Sequence, residues 1–310
     1  VFSLAVISRV PASLTNGSAS VLKLFCDDIR HMASGVPKRS NQAKLWREPS
    51  FANAELLRAA YKTHTFPPHS HDEFAFGLIE RGAQEFIYTN GERLIMPERT
   101  ICVVNPGAVH EGGPATEEGW DYRMVYVPAA NLAAALKDVH GEAAGTNLYF
   151  PQTVIDDPDT MRLIYEAHVC SESQDASQLE KTSRLTQAVY QLAQRHGQSA
   201  RPLITSSPVP GSVRRAREYI DAHVCENPSL DTVADIAGMS PFHLLREFKK
   251  TFGVAPHAYL VQRRVELAKH LLLKGRPLRL VAIEAGYYDQ GHLSREFSRF
   301  FGVPPGAARQ

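Results

Sequence analysis

Three histidines are the first residues in this chain whose type and spacing could do chemistry. His69 and His71 stand two residues apart in HTFPPHSHDEF, on one side of an extended segment, and His110 follows in VNPGAVHEG on a neighbouring strand. Three imidazoles converging inside a barrel suit zinc, iron or nickel. They suit hydrogen bonds to a small molecule or to the backbone equally well. Aromatic residues accompany them: Phe74, Phe76, Phe86, Tyr88, Trp120, Tyr122 and Tyr126. Alternation alone cannot separate a ligand pocket from a packed core, because the interior of a small barrel serves as both. Phe76, Tyr88, Tyr122 and Tyr126 are expected to join the three histidines around a small molecule. The sequence carries no Gly-rich phosphate loop, no nucleophile elbow and no histidine pair at helical spacing with a glutamate between.

The second constellation is a near-repeat. AGMSPFHLLREFKKTFGVAP begins at Ala237 and AGYYDQGHLSREFSRFFGVPP at Ala285. Each reads as a helix, a turn through Gly238 or Gly286, and a second helix able to enter a major groove about 12 Å wide. Leu244 and Phe248, and Leu293 and Phe297, form the inner faces at i, i+4. Facing outward are Phe242, His243, Leu245, Arg246 and Lys249, preceded by Ser240, and in the second unit Gln290, Gly291, His292, Ser294, Arg295 and Arg299. Arg246 and Arg295 can make bidentate contacts to guanine, clamp phosphate, or pair with the adjacent Glu247 and Glu296. A helix from Pro256 to Lys274 would span about 28 Å, close to the ~34 Å between successive major grooves.

The elements that must position these residues follow from local pattern. Alternation along DEFAFGLIE and WDYRMVYV, and the Asn90-Gly91 pair between QEFIYT and ERLIM, predicts short strands with a two-residue hairpin whose central positions both take positive φ. Strands at ~10-residue spacing predict a small barrel or jelly roll over 51–150. Residues 151–196 shift to a helical period, with Met161, Ile164, Tyr165 and His168 on one face and Leu185, Val189 and Leu192 on another. Such helices either cap the barrel or pair across a dimer, and pairing is the expectation adopted. GQSARPLITSSPVPG at 197–211 reads as a linker. Beyond it, Ser212 and Ser240 are expected N-caps and Pro241 and Pro256 first-turn residues. Residues 1–50 lack periodicity and are expected to be a disordered extension.

Bulk properties set limits. The chain has 310 residues, 44% hydrophobic and 22% charged, with a net charge of +1, and has room for two domains, each with its own core. Residues 211–310 carry 15 Lys and Arg against 10 Asp and Glu, whereas residues 1–210 carry 19 against 23. The surplus an anionic partner needs therefore lies in the tail. Four cysteines without a CxxC pair fit reduced thiols of a cytoplasmic protein. No apolar run approaches the ~20 residues of a membrane span, and VFSLAVISRV lacks the basic flank of a signal peptide.

The tail closely resembles the tandem helix-turn-helix domain of the AraC/XylS family of bacterial transcription regulators over nearly all of 213–305, with VAIEAGYYDQGHLSREFSRFFGVPP similar to the family signature. The resemblance implies that helices starting at Ser240 and Asp289 read DNA. The matching base-contacting positions are Phe242, Leu245 and Arg246, then Gln290, Gly291, Ser294 and Arg295. Leu245 stands where the family is often polar, and Gly291 removes a side chain from the second reading face. The barrel resembles a cupin and the effector-binding domain such regulators carry. Metal-binding cupins add a glutamate four or five residues after the second histidine, where this chain has Ala75 and Phe76.

The expected fold is therefore α+β multidomain: a cupin-like jelly-roll barrel with a helical dimerisation segment, then an all-α tandem helix-turn-helix domain over 212–310. The expected function is a cytoplasmic, effector-controlled, sequence-specific DNA-binding regulator, implied by the family to activate transcription. Its partners would be double-stranded DNA, a small-molecule effector, RNA polymerase and a second copy of itself, with no membrane, no cofactor and no enzymatic role. The alternative is a metal-dependent cupin enzyme or sensor with an appended DNA-binding tail, its metal held by His69, His71 and His110.

Overall fold

The computed structural model describes residues 41–49, 51, 53–132, 148–199 and 209–308, which fall in one compact unit. The strands are β1 (Gln42–Glu48), β2 (Ala54–Tyr61), β3 (Phe66–His69), β4 (Glu73–Tyr88), β5 (Arg93–Pro97), β6 (Ile101–Val104), β7 (His110–Pro114), β8 (Trp120–Pro128), β9 (Leu148–Tyr149), β10 (Val154–Ile155) and β11 (Gln198–Ser199). Long strand β4 belongs to two layers. Its first half pairs with β8 and β6 within the order β1-β2-β8-β4-β6-β10, and its second half pairs with β5 and β7, with β3 beyond β7. Folding one strand across both layers closes the sheet into a jelly-roll-like barrel. Strand β1 lies in the span expected to be a disordered extension, and residues 1–40 are outside the described residues. The Asn90-Gly91 turn is also not the two-residue hairpin expected. Only Gly91 has positive φ (84°), and Gly91 N–H donates to Tyr88 O while Tyr88 N–H donates to Glu92 O. That is a three-residue loop with glycine in the left-handed position.

Both faces of the main sheet are buried, with period two. Trp46, Leu56, Phe74, Phe76, Leu78, Ile101, Val103 and Val125 turn to one side. There they meet α1 (Pro158–Glu172) and α2 (Gln178–His196) through Met161, Ile164, Ala167, Leu185, Val189 and Leu192. The inner stripes of α1 and α2 therefore cover the sheet of their own chain, the option set aside at the sequence level in favour of pairing across a dimer. The side chains between, Leu45, Leu57, Ala75, Cys102, Tyr122 and Met124, face the barrel interior.

The tail comprises α3 (Gly211–Ala222), α4 (Leu230–Ala237), α5 (Pro241–Phe252), α6 (Pro256–Leu273), α7 (Leu278–Glu284), α8 (Gln290–Phe301) and a 3-10 turn at Pro305–Ala308. Its first helix starts at Gly211 behind Pro210, without a side-chain cap, so Ser212 is not the N-cap expected. Helices α3, α4 and α5 close their own core with Leu260 of α6. Helices α7 and α8 and the far half of α6 do not. Val265, Ala268, Leu272, Val281, Leu293, Phe297 and Phe300 merge with the barrel interior into one cluster. Separate cores for barrel and tail were expected; the second helix-turn-helix unit instead completes the barrel's core. The linker expected at 197–211 falls largely outside the described residues, and only its start is seen, as β11 paired with β9.

Candidate functional site

The two helices expected to read DNA are built by strong local signals. Helix α5 begins with Ser240, whose hydroxyl accepts the His243 N–H at 3.4 Å, and Pro241 at its first position. Helix α8 begins with Asp289, which accepts the His292 N–H at 2.6 Å. Each cap satisfies a backbone donor that the helix cannot. Leu244 and Phe248, and Leu293 and Phe297, are buried. Amphipathic packing thereby turns the opposite faces to solvent. Ser240, Phe242, His243, Leu245, Arg246 and Lys249 are exposed on α5, as are Gln290, Gly291, Arg295 and Arg299 on α8, while Ser294 and His292 are half-buried. An exposed aromatic such as Phe242, 75% accessible, is what a base-contacting surface offers and a folding core does not. Arg246 Nε lies 3.1 Å from Glu247 Oε1 and Arg299 3.4 Å from Glu296. Arg295 has no hydrogen-bond or ion-pair partner among the described residues, so its five donors are available to a ligand. Tyr288, just before Asp289, is 93% exposed and escaped the sequence reading.

A cavity of about 1080 Å³ opens where barrel and tail meet. His69, His71, His110, Tyr122 and Tyr126 line it from the barrel, and Val265, Lys269, Phe297 and Phe300 from the tail. Strands β3 and β7 set His69 directly opposite His110. The ring centres of His69 and His110 are 4.3 Å apart, those of His71 and His110 5.2 Å, and those of His69 and His71 6.2 Å. Each Nδ1 bonds a backbone carbonyl close in sequence: Pro67 at 2.8 Å, Glu73 at 2.9 Å and Ala108 at 2.8 Å. Burial pushes His69 and His71 down to about 4 and His110 well below its ordinary value, with mutual repulsion adding to the shift of His69 and His110. The three rings are therefore neutral at pH 7. Because a carbonyl only accepts, Nδ1 carries the proton, which leaves Nε2 of each ring as an unbonded acceptor. Among the described residues no group of three or more His, Cys, Asp or Glu stands so as to hold a metal ion.

Two of the expected pocket aromatics lie elsewhere. Phe76 is on the opposite face of the sheet, buried against α1 and α2, because in β4 it alternates with Ala75, which does line the cavity. Tyr88 packs edge-on to Phe86 and hydrogen-bonds Thr153 Oγ1 at 2.5 Å, outside the cavity wall. A charged group invisible to sequence reasoning takes their place. Lys269 of α6 pairs with Glu55 of β2 inside the cavity wall, and Arg47 of β1 reaches Glu55 at 2.9 Å. Burial would depress the Lys269 ammonium, but Glu55, with Glu73 and Glu266 behind it, outweighs burial and holds it above its usual value. Burial likewise opposes ionisation of Glu55, and the two cations overcome it. The pair is ionic and joins tail to barrel.

A barrel enclosing a cavity, coupled to paired helix-turn-helix units whose second helices turn polar faces to solvent, is the architecture of a DNA-binding regulator with a ligand-binding domain. Comparison with known proteins agrees. An AraC-like ligand binding domain model matches residues 51–189, and a helix-turn-helix domain model matches residues 233–310. The uncharacterized HTH-type transcriptional regulator YbfI of Bacillus subtilis is 28% identical over 230 residues, covering 74% of this chain and 81% of its own. The HTH-type transcriptional activator RhaS of an Enterobacter species is 25% identical over 255 residues, covering 79% and 88%. Among solved structures, ToxT from Vibrio cholerae aligns over 86% of this chain and 96% of its own with a TM-score of 0.50 at 11% identity, a likeness of fold. The chain belongs to the AraC family of transcription regulators. It is a DNA-binding transcription regulator with an N-terminal ligand-binding domain. No helix among the described residues is long and apolar enough to cross a membrane.

Proposed function

We propose that α5 and α8 read neighbouring major grooves of one duplex, and that the cavity between barrel and tail takes the effector. The observation that carries this reading is the cavity's composition. Barrel histidines and tyrosines form one wall, while Phe297 and Phe300, from the buried side of the reading helix α8, form another. A ligand in the cavity touches the reading element directly, so its binding energy can differ between arrangements of that element, as any regulation requires.

The acceptor nitrogens narrow the effector's chemistry. Three neutral imidazoles presenting lone pairs repel a carboxylate and favour an uncharged molecule that brings hydroxyl or amide donors. Lys269, the nearby cation, is engaged by Glu55. Met96, Met124, Val265 and Phe300 would hold the effector's apolar flank. ToxT has been solved with an unsaturated fatty acid, which makes such an acid the informative contrast. In a thermal-shift panel on the full chain, uncharged polyhydroxylated or amide-bearing compounds should stabilise by about 2.7 kcal/mol at 100 times Kd. Stabilisation should vanish in a variant with His69, His71 and His110 replaced by Ala, whose retained DNA binding reports that the tail is intact. Stabilisation by carboxylic acids alone, or an undiminished response in the triple variant, would refute this assignment.

Activation, and with it contact to RNA polymerase, is the direction suggested by the relative named as an activator. Such a regulator acts in the cytoplasm, where its DNA is. A homodimer formed on α1 and α2 would use their outer faces, where Leu179 stands exposed.

A further inference from the structure

Both reading helices end against the barrel, at two separate places. Helix α5 stops at Gly253, with φ of 74°. A Cβ there would lie 2.9 Å from Val109 Cγ2 and 3.0 Å from Thr89 Cγ2. Helix α8 stops at Gly302, with φ of 68°. A Cβ there would run into the Tyr61 ring and come within 3.0 Å of His64 Cδ2. The Tyr61 hydroxyl donates to Phe301 O, the last residue of α8, at 2.5 Å. At both ends glycine meets two demands at once, a left-handed helix terminus and a neighbour too close for a side chain.

These contacts bear on how the two reading faces are spaced. The first unit has its own core and the second shares the barrel's; α6 joins them, and the two also meet where Cys225 Sγ donates to Glu284 O at 2.9 Å. Asp221 of the first unit bonds Tyr259 and Arg263 of α6, and the second unit packs on Val265, Ala268 and Leu272, so the rod sets the separation and limits the roll. Reading two successive grooves requires roll as well as distance, because adding one base pair moves the second half-site ~3.4 Å along the duplex and ~35° around it. The barrel contact at the end of each reading helix adds a further support to that restraint. Both supports adjoin the cavity: Val109 precedes His110, and Tyr61 is itself in the wall.

We propose that the barrel rim is a gauge for the reading helices. Thr89 and Val109 position α5, Tyr61 and His64 position α8, and together they set the half-site spacing the protein accepts. A molecule in the cavity acts by shifting one support relative to the other. This rests on α5 and α8 being the reading helices and on the cavity being the effector site.

The test uses the full chain and DNA sites it selects in vitro, with the two halves respaced by −2 to +2 base pairs. Arg246→Ala and Arg295→Ala assign each half to its helix. Tyr61→Phe and Val109→Ala, singly and together, then weaken the supports with minimal change of volume. For the parent, one spacing should be preferred over its neighbours by about tenfold, the scale of a mismatched base pair. In the double variant that preference should fall to about threefold or less, with the base preference inside each half unaltered. A purely structural role would lower affinity equally at every spacing, and a double variant that keeps the parent's spacing ratio overturns the gauge. If neither arginine variant loses a half-site, the reading helices themselves are misassigned and the gauge falls with them.

Discussion

Replacing Lys269 by Met tests how tail and barrel are joined. The side chain is 15% exposed and Glu55 12%, and the ammonium also stands 5.6 Å from the Tyr126 ring and 5.5 Å from that of Phe301. Met keeps most of the volume and removes the charge. Orphaning a buried carboxylate completely costs about 3–5 kcal/mol. Here Arg47 remains at 2.9 Å, so the loss should be smaller, about 2–4 kcal/mol. At roughly 2–4 °C per kcal/mol for a domain of this size, the melting temperature should drop by about 4–16 °C. The pH dependence has a definite sign. Glu55 is held below its ordinary 4.5, so its contribution is present above that pH and is lost as pH falls through the folded value. In Lys269→Met that carboxyl is no longer held so low, and the deficit should therefore shrink between pH 7 and pH 4. Adding Glu55→Gln should restore part of the lost stability, because no buried carboxylate is then left short of a partner. Calorimetry of the parent, both single variants and the double variant at the two pH values decides the matter. A Lys269→Met protein melting with the parent, or a double variant that loses the sum of the singles, would refute the ion pair as a joint.

Arg246→Ala and Arg295→Ala should each weaken binding to a selected site by about 1–3 kcal/mol if they read bases. The loss should be the smaller at Arg246, which must first leave Glu247, 3.1 Å away. Equal loss on unrelated DNA, with a salt slope reduced by about one, would make them phosphate contacts. The neutral histidines predict acid lability. Their protonation is displaced from the ordinary 6.5 to about 4 for His69 and His71, so the unfolded chain binds more protons across that interval. Stability should then fall as pH drops from 6.5 to 4. A denaturant midpoint unchanged between pH 7 and pH 5 would contradict the buried, uncharged state.

Local chemistry was legible in the chain, and side-to-side relations were not. The caps at Ser240 and Asp289 and the inner pairs Leu244/Phe248 and Leu293/Phe297 depend on residues within a turn or two, and they stand where the sequence placed them. Alternation found the strands but could not say which face turned where. Both faces of the main sheet are buried, so Phe76 and Ala75 carry no signal of which meets the helices and which the cavity. The Asn90-Gly91 pair located the hairpin but not its loop length, because hydrogen bonds from Tyr88 set that. Strand β1 was lost in a polar stretch whose partner, β2, supplies the pattern. Lys269 and Glu55 lie on α6 and β2, far apart in the chain, and neither belongs to a motif.

The apolar cluster common to β-strands and terminal helices has a practical corollary for anyone building chimeras. A cut at the Ser/Pro-rich stretch before Gly211 would strip Val265, Phe297 and Phe300, which face the barrel across the cavity, of their covering and leave a greasy scar on the excised fragment. Grafting that fragment onto a foreign sensor should fail unless the new host offers a matching cap, whereas exchanging α3 to α5 together with the first turn of α6, whose Leu260 completes their core, should succeed. The transplantable piece is thus the first prong of the fork, and the second travels with its receptor.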